Sequence, residues 1–359
     1  QLRIQVLKWL DKCIGTFLTT CLTEPTSGEL KDTPSKILVI RPGGIGDAVL
    51  LIPAIRALKK KYPGTVIDVL SEKRNAPIFK MCPDIDKILR YDQGGLLQVL
   101  RCRYDVVIDS EQWHRLTAVL SRLVRAGVRI GFGTNERRKL YSHVIDYHQD
   151  RPEIQSFFDL LQPLAVESLQ GYSSNPFLEI PGEENQRTEQ LLGDFLERRY
   201  IVLFPGASIP ERRWGAEQFH RLASQLNHSG RPIVVIGGEE DRETGAQIVA
   251  GVDGLNLAGR TTLIGSAAVI EKAALLVSGD SGMLHVGIGL GKPTVSLFGS
   301  GIAAKWAPKG GAHVVINKQL ACSPCTRFGY TPPCPIQVKC LKDISADEVL
   351  SAALSLLKR

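Results

Sequence analysis

The chain's tightest constraint is a pattern that occurs twice: short runs of Ile, Val and Leu, each the length of one strand, alternating with stretches of helical period. The first series reads "KILVI", "TVIDVL" and "DVVIDS", with helices expected in "GDAVLLIPAIRALKKKY" and "RLTAVLSRLVRAG". The second reads "YIVLFPG", "RPIVVIGG", "ALLVSGD" and "KPTVSLFG", separated by "AEQFHRLASQLNHSG", "DRETGAQIVAGV" and "GMLHVGIGLG". Runs apolar on both faces belong inside a parallel sheet, and strand-helix alternation places helices on both sides of it. The fold class is therefore α/β with doubly wound parallel sheets. At about 150 residues per domain, 359 residues make two.

The stretch "GYSSNPFLEIPGEENQ" carries the glycine, proline and serine of a domain boundary. The expected division is an amino-terminal helix and linker over 1–34, one domain over 35–178, a second over 179–344, and a terminal helix over 345–359. That last helix is announced by Ser345 and Glu348 at capping-box spacing. Both halves open alike, "ILVIRPGG" and "IVLFPGAS", so two similarly wound units are expected to face each other. Ligands of open parallel sheets collect at the carboxyl ends of strands, which places the expected site in the cleft between them.

A net charge of +7 and an isoelectric point near 9.0 favour an acidic partner: nucleic acid, anionic lipid or a phosphorylated small molecule. Aromatics at 6%, with no zinc-finger spacing and no aromatic RNA-binding strand, argue against nucleic acid. Cys13, Cys21, Cys82 and Cys102 are scattered singly and read as reduced thiols. No apolar run of about 18 residues exists to span a bilayer. A soluble cytoplasmic protein is the expectation. Leu2, Val6, Trp9, Leu10, Cys13, Phe17 and Cys21 recur at helical spacing beside Arg3, Lys8 and Lys12. That helix suits either docking on the domain or an anionic membrane surface, and its internal charges argue against a cleaved signal peptide.

The turn "RPGGIGD" nearly spells a dinucleotide-binding fingerprint, with Gly44 and Gly46 in place and Val49 where a third glycine belongs. Asp47 decides against phosphate there. A helix N-terminus attracts anions through its free amides and dipole, and a carboxylate at that end competes for them. The same dipole is expected to hold Asp47 ionised at neutral pH. Asp47 is then either a helix cap or a general base for an attacking hydroxyl, with Gly43, Gly44 and Gly46 leaving room for a bulky acceptor.

The second half offers an anion cradle instead. In "LLVSGDSGMLHVGIGLG" a strand, a turn and a helix follow in order, with Gly279, Ser281 and Gly282 presenting amides and His285 on the face of Ser281. The alternative is a helix capped by Asp280 over a satisfied core histidine. In "FPGASIPERRWGAEQF", Ser208 lies in the turn and Arg212 and Arg213 precede Trp214; guanidinium forks suit diphosphate oxygens, and a solvated basic loop is the alternative. In "VVIGGEEDRE", Glu240 follows two glycines at a strand end, where a carboxylate either accepts from ribose hydroxyls or simply lies exposed.

Other clusters read as less specific. Asp84 and Asp86 of "PDIDKI" resemble a paired-aspartate metal motif, but without a third ligand they read as a surface turn. Cys322, Cys325, Cys334 and Cys340 carry only one C-x-x-C pair, so packed thiols are preferred to zinc. Arg115, Arg122, Arg125, Arg129, Arg137, Arg138 and Lys139 either receive an acidic acceptor or are solvated.

In order and spacing, "GGIGDAVLLIPAIRALK", "FPGAS…RRW", "VVIGGEED", "SGDSGMLHVGIGLGKPTVSLFG" and the cysteine tail together resemble glycosyltransferase family nine, the lipopolysaccharide heptosyltransferase-like enzymes, over about residues 36 to 350. The resemblance implies a GT-B fold of two Rossmann-like domains facing across a cleft. It also implies an inverting, metal-independent transfer without a cofactor, from a nucleotide-diphosphate sugar such as ADP-heptose to an anionic lipopolysaccharide core acceptor. On its pattern Asp47 is the catalytic base, and Ser208, Arg212, Ser281, Gly282 and His285 hold the donor phosphates. Glu240 and Asp280 meet nucleoside or sugar. Arg212 stands where the family usually carries lysine. A membrane-anchored acceptor would place the enzyme peripherally on the cytoplasmic face of the inner membrane.

The rivals are transfer of a UDP-linked hexose or N-acetylhexosamine to another surface glycan, and a sugar-nucleotide epimerase on the same fold. A nicotinamide dehydrogenase and a non-catalytic sugar-nucleotide binding module complete the set.

Overall fold

Both apolar series fold as parallel sheets. The computed structural model describes residues 11–26, 28, 30–167, 176–327 and 330–358. It divides into two units, Gln1–Gln170 and Gly171–Arg359. Leu2, Val6, Trp9 and Leu10 of the expected amino-terminal helix lie outside the described residues. From Asp11 the chain is helical, a wide turn over Asp11–Gly15 running into α1 (Thr16–Cys21).

The first sheet contains β1 (Lys36–Arg41), β2 (Val66–Ser71), β3 (Lys87–Arg90), β4 (Arg103–Asp109), β5 (Arg125–Phe132) and β6 (His143–Ile145), in the order β3-β2-β1-β4-β5-β6. All its pairs are parallel; Ile40 lies opposite Leu70 on one side and Asp109 on the other. The helices α2 (Ile45–Lys61), α3 (Arg115–Leu123) and α4 (Glu153–Asp159) belong to this unit. Leu38, Ile40, Leu70, Tyr104, Val107, Leu120 and Val124 form one core cluster. Each such aliphatic side chain contributes about 1.5–3 kcal/mol by leaving water.

The second sheet contains β7 (Ile201–Phe204), β8 (Ile233–Val235), β9 (Gly254–Asn256), β10 (Leu275–Gly279), β11 (Thr294–Phe298) and β12 (His313–Asn317), in the order β12-β11-β10-β7-β8-β9, again all parallel. Counted within its own unit and from the other edge, that is strand order 3-2-1-4-5-6, the order of the first sheet. The similar opening phrases of the two halves are thus equivalent first strands, β1 and β7. Around the second sheet lie α5 (Ala216–His228), α6 (Arg242–Val249), α7 (Leu263–Lys272), α8 (Gly282–Gly289) and α9 (Ala346–Leu357). Ser345 Oγ accepts from the Glu348 amide while the Glu348 carboxylate accepts from that of Ser345, so α9 starts on a reciprocal cap.

Three features depart from the sequence expectation. The helix expected through Gly127 stops at Leu123, and Arg125–Gly127 open β5 instead. Val124 is extended there, and the buried Arg129 guanidinium donates to the carbonyls of Ser121, Val124 and Ala126, tying off the turn. The outer strands β6 and β9 have three half-buried residues each, too few for a readable period, and α7 and β12 are further elements that the two apolar series do not include.

Candidate functional site

In a sheet of this order the connections leave in opposite directions on either side of the first and fourth strands, and their carboxyl ends open a crevice. The crevice residues follow β1 and β4 in the first unit, β7 and β10 in the second.

In the first unit β1 ends on Arg41, which is 2% exposed. Its Nη1 donates to Ser110 O at 2.7 Å and its Nε to Pro42 O at 2.8 Å, while Nη2 donates to Glu111 Oε2 at 3.1 Å and stands 3.9 Å from Asp47 Oδ2. The cap of α2 is Gly44, with extended backbone and no side-chain capping bond. Asp47 therefore does not cap its helix. It is the third helical residue, and its carboxylate bends back over Gly44, where a Cβ would come within 2.7 Å of Oδ2. Gly43, at φ +96°, holds a conformation that favours glycine.

Burial, with Glu153 and Glu111 nearby, pushes the Asp47 carboxyl up to about 6 against the pull of Arg41 and Arg74. Asp47 is thus ionised at neutral pH, as expected, but burial makes it a proton acceptor of raised affinity. Burial works to raise Glu111 as well, and Arg41 overcomes it, leaving that carboxyl below its usual range. The third carboxylate, Glu153, is fully buried and takes hydrogen bonds from Gln112 Nε2 at 2.5 Å and Tyr147 Oη at 2.8 Å. Behind it, Arg137 pairs with Asp109 at 3.0 Å, with both side chains fully buried and Tyr141 Oη donating to the same carboxylate. Arg137 and Arg129 are thus interior residues, which removes them from the expected basic receiving face.

The second unit's crevice is built differently. Arg212 closes a short turn after β7, and its Nη1 meets Asp280 Oδ2 at 2.9 Å, with side chains 17% and 6% exposed. Arg212 is therefore already paired. The approach depends on Gly279, where a Cβ would stand 2.9 Å from the Arg212 carbonyl oxygen. The cap of α8 is Ser281, not Asp280: its Oγ accepts from the Leu284 amide at 3.2 Å and contacts Ser278 Oγ at 2.8 Å. His285 is 3% exposed, and its Nδ1 has no hydrogen-bond partner among the described residues, so it is not a satisfied core histidine. Burial, helped by Arg212, pushes its pKa down to about 4, keeping the ring neutral.

Arg212, Asp280, Ser281, Gly282 and His285 thus come together at one strand end. Ser208 and Glu240 are exposed at neighbouring turns. Beside Glu240 the buried acid is Asp241, which accepts from the Gly238 amide at 3.1 Å and from Arg213 Nη1 at 2.9 Å, while Arg213 Nε donates to Ala207 O at 3.1 Å. Asp241 thereby pins the Ala207 loop to the glycine turn. Trp214 Nε1 donates to Ile344 O at 3.0 Å, anchoring the same loop to the start of α9.

Arg41, Glu111, Glu153 and Asp241 are buried charged residues at the strand ends that the sequence motifs do not single out. An arginine ending an apolar strand and the acids of "DVVIDSEQ" are signals for the first two, whereas nothing near Glu153 marks it as buried. Asp84 and Asp86 pair with Arg56 and Lys59 at 3.3 and 3.0 Å. The four carboxyl-terminal cysteines are free thiols, from exposed Cys322 to buried Cys340.

Two Rossmann-like units with sheets of this order fit the GT-B architecture of glycosyltransferases. The family described as "Glycosyltransferase family 9 (heptosyltransferase)" matches residues 96–332, and the chain belongs to it. It is similar to lipopolysaccharide heptosyltransferase 3 of Escherichia coli, 28% identical over 289 residues that cover 73% of this chain and 83% of that one. The structure of E. coli ADP-heptose lps heptosyltransferase II superposes with a TM-score of 0.72 at 24% identity, covering 90% of this chain and 98% of that one. A family 9 glycosyl transferase from Veillonella parvula gives 0.76 at 22% identity, covering 93% and 99%.

Proposed function

We propose that the chain transfers heptose from ADP-heptose to an anionic lipopolysaccharide core acceptor, with inversion and without a metal ion. The observation that carries this reading is Asp47, a partly exposed carboxylate over a buried arginine, with its proton affinity raised to about 6. A base poised near the working pH is what removal of a hydroxyl proton requires. The acceptor hydroxyl oxygen attacks the anomeric carbon from the face opposite the diphosphate, its proton passes to Asp47, and the bond from carbon to diphosphate oxygen breaks to release ADP. Gly43, Gly44 and Gly46 keep the acceptor side of the turn free of side chains.

In the second unit the α8 amides ahead of Leu284, whose own amide Ser281 caps, have no carbonyl partner within the helix and suit the departing diphosphate. Ser281, Gly282 and the neutral His285 line that end, with Ser208 and Arg212 on the turn after β7. Glu240 and Asp280 lie where nucleoside and sugar would bind. The nucleotide and heptose are supported by the names of the relatives, "Lipopolysaccharide heptosyltransferase 3" and "ADP-heptose lps heptosyltransferase II". A lipid-borne acceptor would place the enzyme at the cytoplasmic face of the inner membrane; among the described residues no helix is long and apolar enough to cross one.

Asp47→Ala is expected to lower kcat by about 10²- to 10⁴-fold with donor and acceptor saturating. Near-normal transfer would overturn the base assignment. For the donor, ADP without added metal should raise the thermal midpoint where UDP, GDP, dTDP and NAD do not. Stabilisation by UDP alone would point to a hexose or N-acetylhexosamine donor, and by NAD alone to a dehydrogenase.

A further inference from the structure

The amino-terminal helical segment, Asp11–Cys21, is amphipathic the wrong way round for a helix that faces water. Its polar or small residues Asp11, Gly15 and Thr19 point into the first unit. Asp11 Oδ1 accepts from the Leu116 amide at 2.9 Å, and a Cβ on Gly15 would sit 2.9 Å from Arg115 Cβ. Leu18 and Leu22 close the contact against Ala118, Val119, Leu140 and Tyr141. The outward side carries Lys12, Cys13, Ile14, Phe17 and Cys21, all exposed, with Phe17 at 66% and Ile14 at 45%. Leu123, at the end of the helix against which the segment packs, is 53% exposed. Apolar side chains presented together to water mark a contact surface.

Cations surround that side. Lys139 Nζ donates to Thr20 O and Arg122 Nε to Thr23 O, each at 2.9 Å, which fixes two positive side chains at the segment's end; Lys12, at its other end, and Arg125 are exposed. Of the nearby acids, Asp11 is buried against His114 and Glu136 pairs with Arg115 at 2.7 Å, so the exposed Glu24 is outnumbered by Lys12, Arg122, Arg125 and Lys139. A second copy of the chain placed symmetrically here would bring like charges together. We propose that this outward face lies on an anionic lipid bilayer, with Ile14 and Phe17 entering the boundary between headgroups and acyl chains and the surrounding lysines and arginines meeting lipid phosphates.

The contact deepens the glycolipid-acceptor reading, and rests on it only for its purpose. His114, which faces Asp11, belongs to the same loop as Glu111, the partner of Arg41 beside Asp47. The lipid-facing segment therefore touches the loop that supports the proposed base.

The test is co-sedimentation of the full chain with phosphatidylethanolamine vesicles containing phosphatidylglycerol, with no donor or acceptor present. Binding is expected to fall at high salt and to be lost with phosphatidylcholine vesicles. The double variant Ile14→Ser, Phe17→Ser should weaken partitioning by about tenfold or more. Lys12→Gln with Arg125→Gln should weaken it by about fivefold per charge. Both variants change exposed side chains, so thermal midpoint and transfer to a soluble acceptor fragment should match the parent. Unchanged partitioning of either variant, or equal binding to phosphatidylcholine, would overturn the proposal. So would a dimer in solution that Phe17→Ser dissociates, since a second copy would then be the occupant. Vesicle binding without transfer to any acceptor would leave the contact standing and refute the activity.

Discussion

The two units have the same strand order and the same first strand followed by a glycine turn, yet their crevices carry opposite chemistry. In the first, one buried guanidinium, Arg41, serves Glu111 and stands near Asp47, with Glu153 adding a further carboxylate. Carboxylate outnumbers Arg41, and burial together with these neighbours raises the proton affinity of Asp47. In the second, Arg212 and Asp280 balance one to one, beside a histidine held neutral and a serine-capped helix start. Topology decides where a site can form. The charge ratio at the strand ends is what differs between the two units.

Breaking the ratio should hurt the first unit most. Arg41→Met leaves Glu111 and Asp47 without their shared cation and is expected to cost about 3–5 kcal/mol in denaturant unfolding. Arg212→Met orphans only Asp280, whose carboxyl burial already pushes up, so it can escape by protonation; a smaller loss, about 2–3 kcal/mol, is expected. Equal losses would erase the distinction between the two crevices.

Next comes Asp47 itself. Its folded pKa, about 6, lies above the ordinary 3.8, so the native state binds the extra proton between those values and stability falls as pH rises through that window. Asp47→Asn, which carries no charge, should therefore be more stable than the parent at pH 7, by about 1–3 kcal/mol, while losing transfer. In the parent, kcat/KM should rise with pH through an apparent pKa near 6 as the base ionises.

The smallest effect belongs to His285. Its folded pKa, about 4, lies below the ordinary 6.5, so the unfolded chain binds the extra proton in that interval and the native state loses stability as pH falls from 6.5 towards 4. His285→Gln should flatten this acid loss by about 1–2 kcal/mol, measured as the pH dependence of the thermal midpoint. An unaltered pH profile would show that the ring titrates normally.

Much of this arrangement is legible in the amino-acid sequence. Strands such as Ile37–Ile40 and Leu275–Val277 are buried on both faces, so hydrophobic runs alone reveal them, and the turns after them are marked by glycine. The edge strands β6 and β9 escape because three half-buried residues have no pattern to show. Ser281 reads as an amide donor and proves to be the cap, since cap and phosphate cradle use the same residue types. Glu153 escapes for another reason: a buried charge with no local signal is recognisable only beside its partners, and Gln112 and Glu153 lie 41 positions apart. Asp241 hides behind the more exposed Glu240, since sequence does not tell which of two adjacent acids turns inward.

The indole hydrogen bond from Trp214 to the Ile344 carbonyl makes the segment leading into α9 a strut for the loop that holds Arg212 and Arg213. Because α9 also closes the core of the second unit, its seating and the position of those guanidiniums are mechanically one thing. Deleting α9 or wedging its first turn off the core is therefore expected to loosen that loop. A disturbance there would reach the proposed nucleotide pocket through the backbone without altering any residue that lines it.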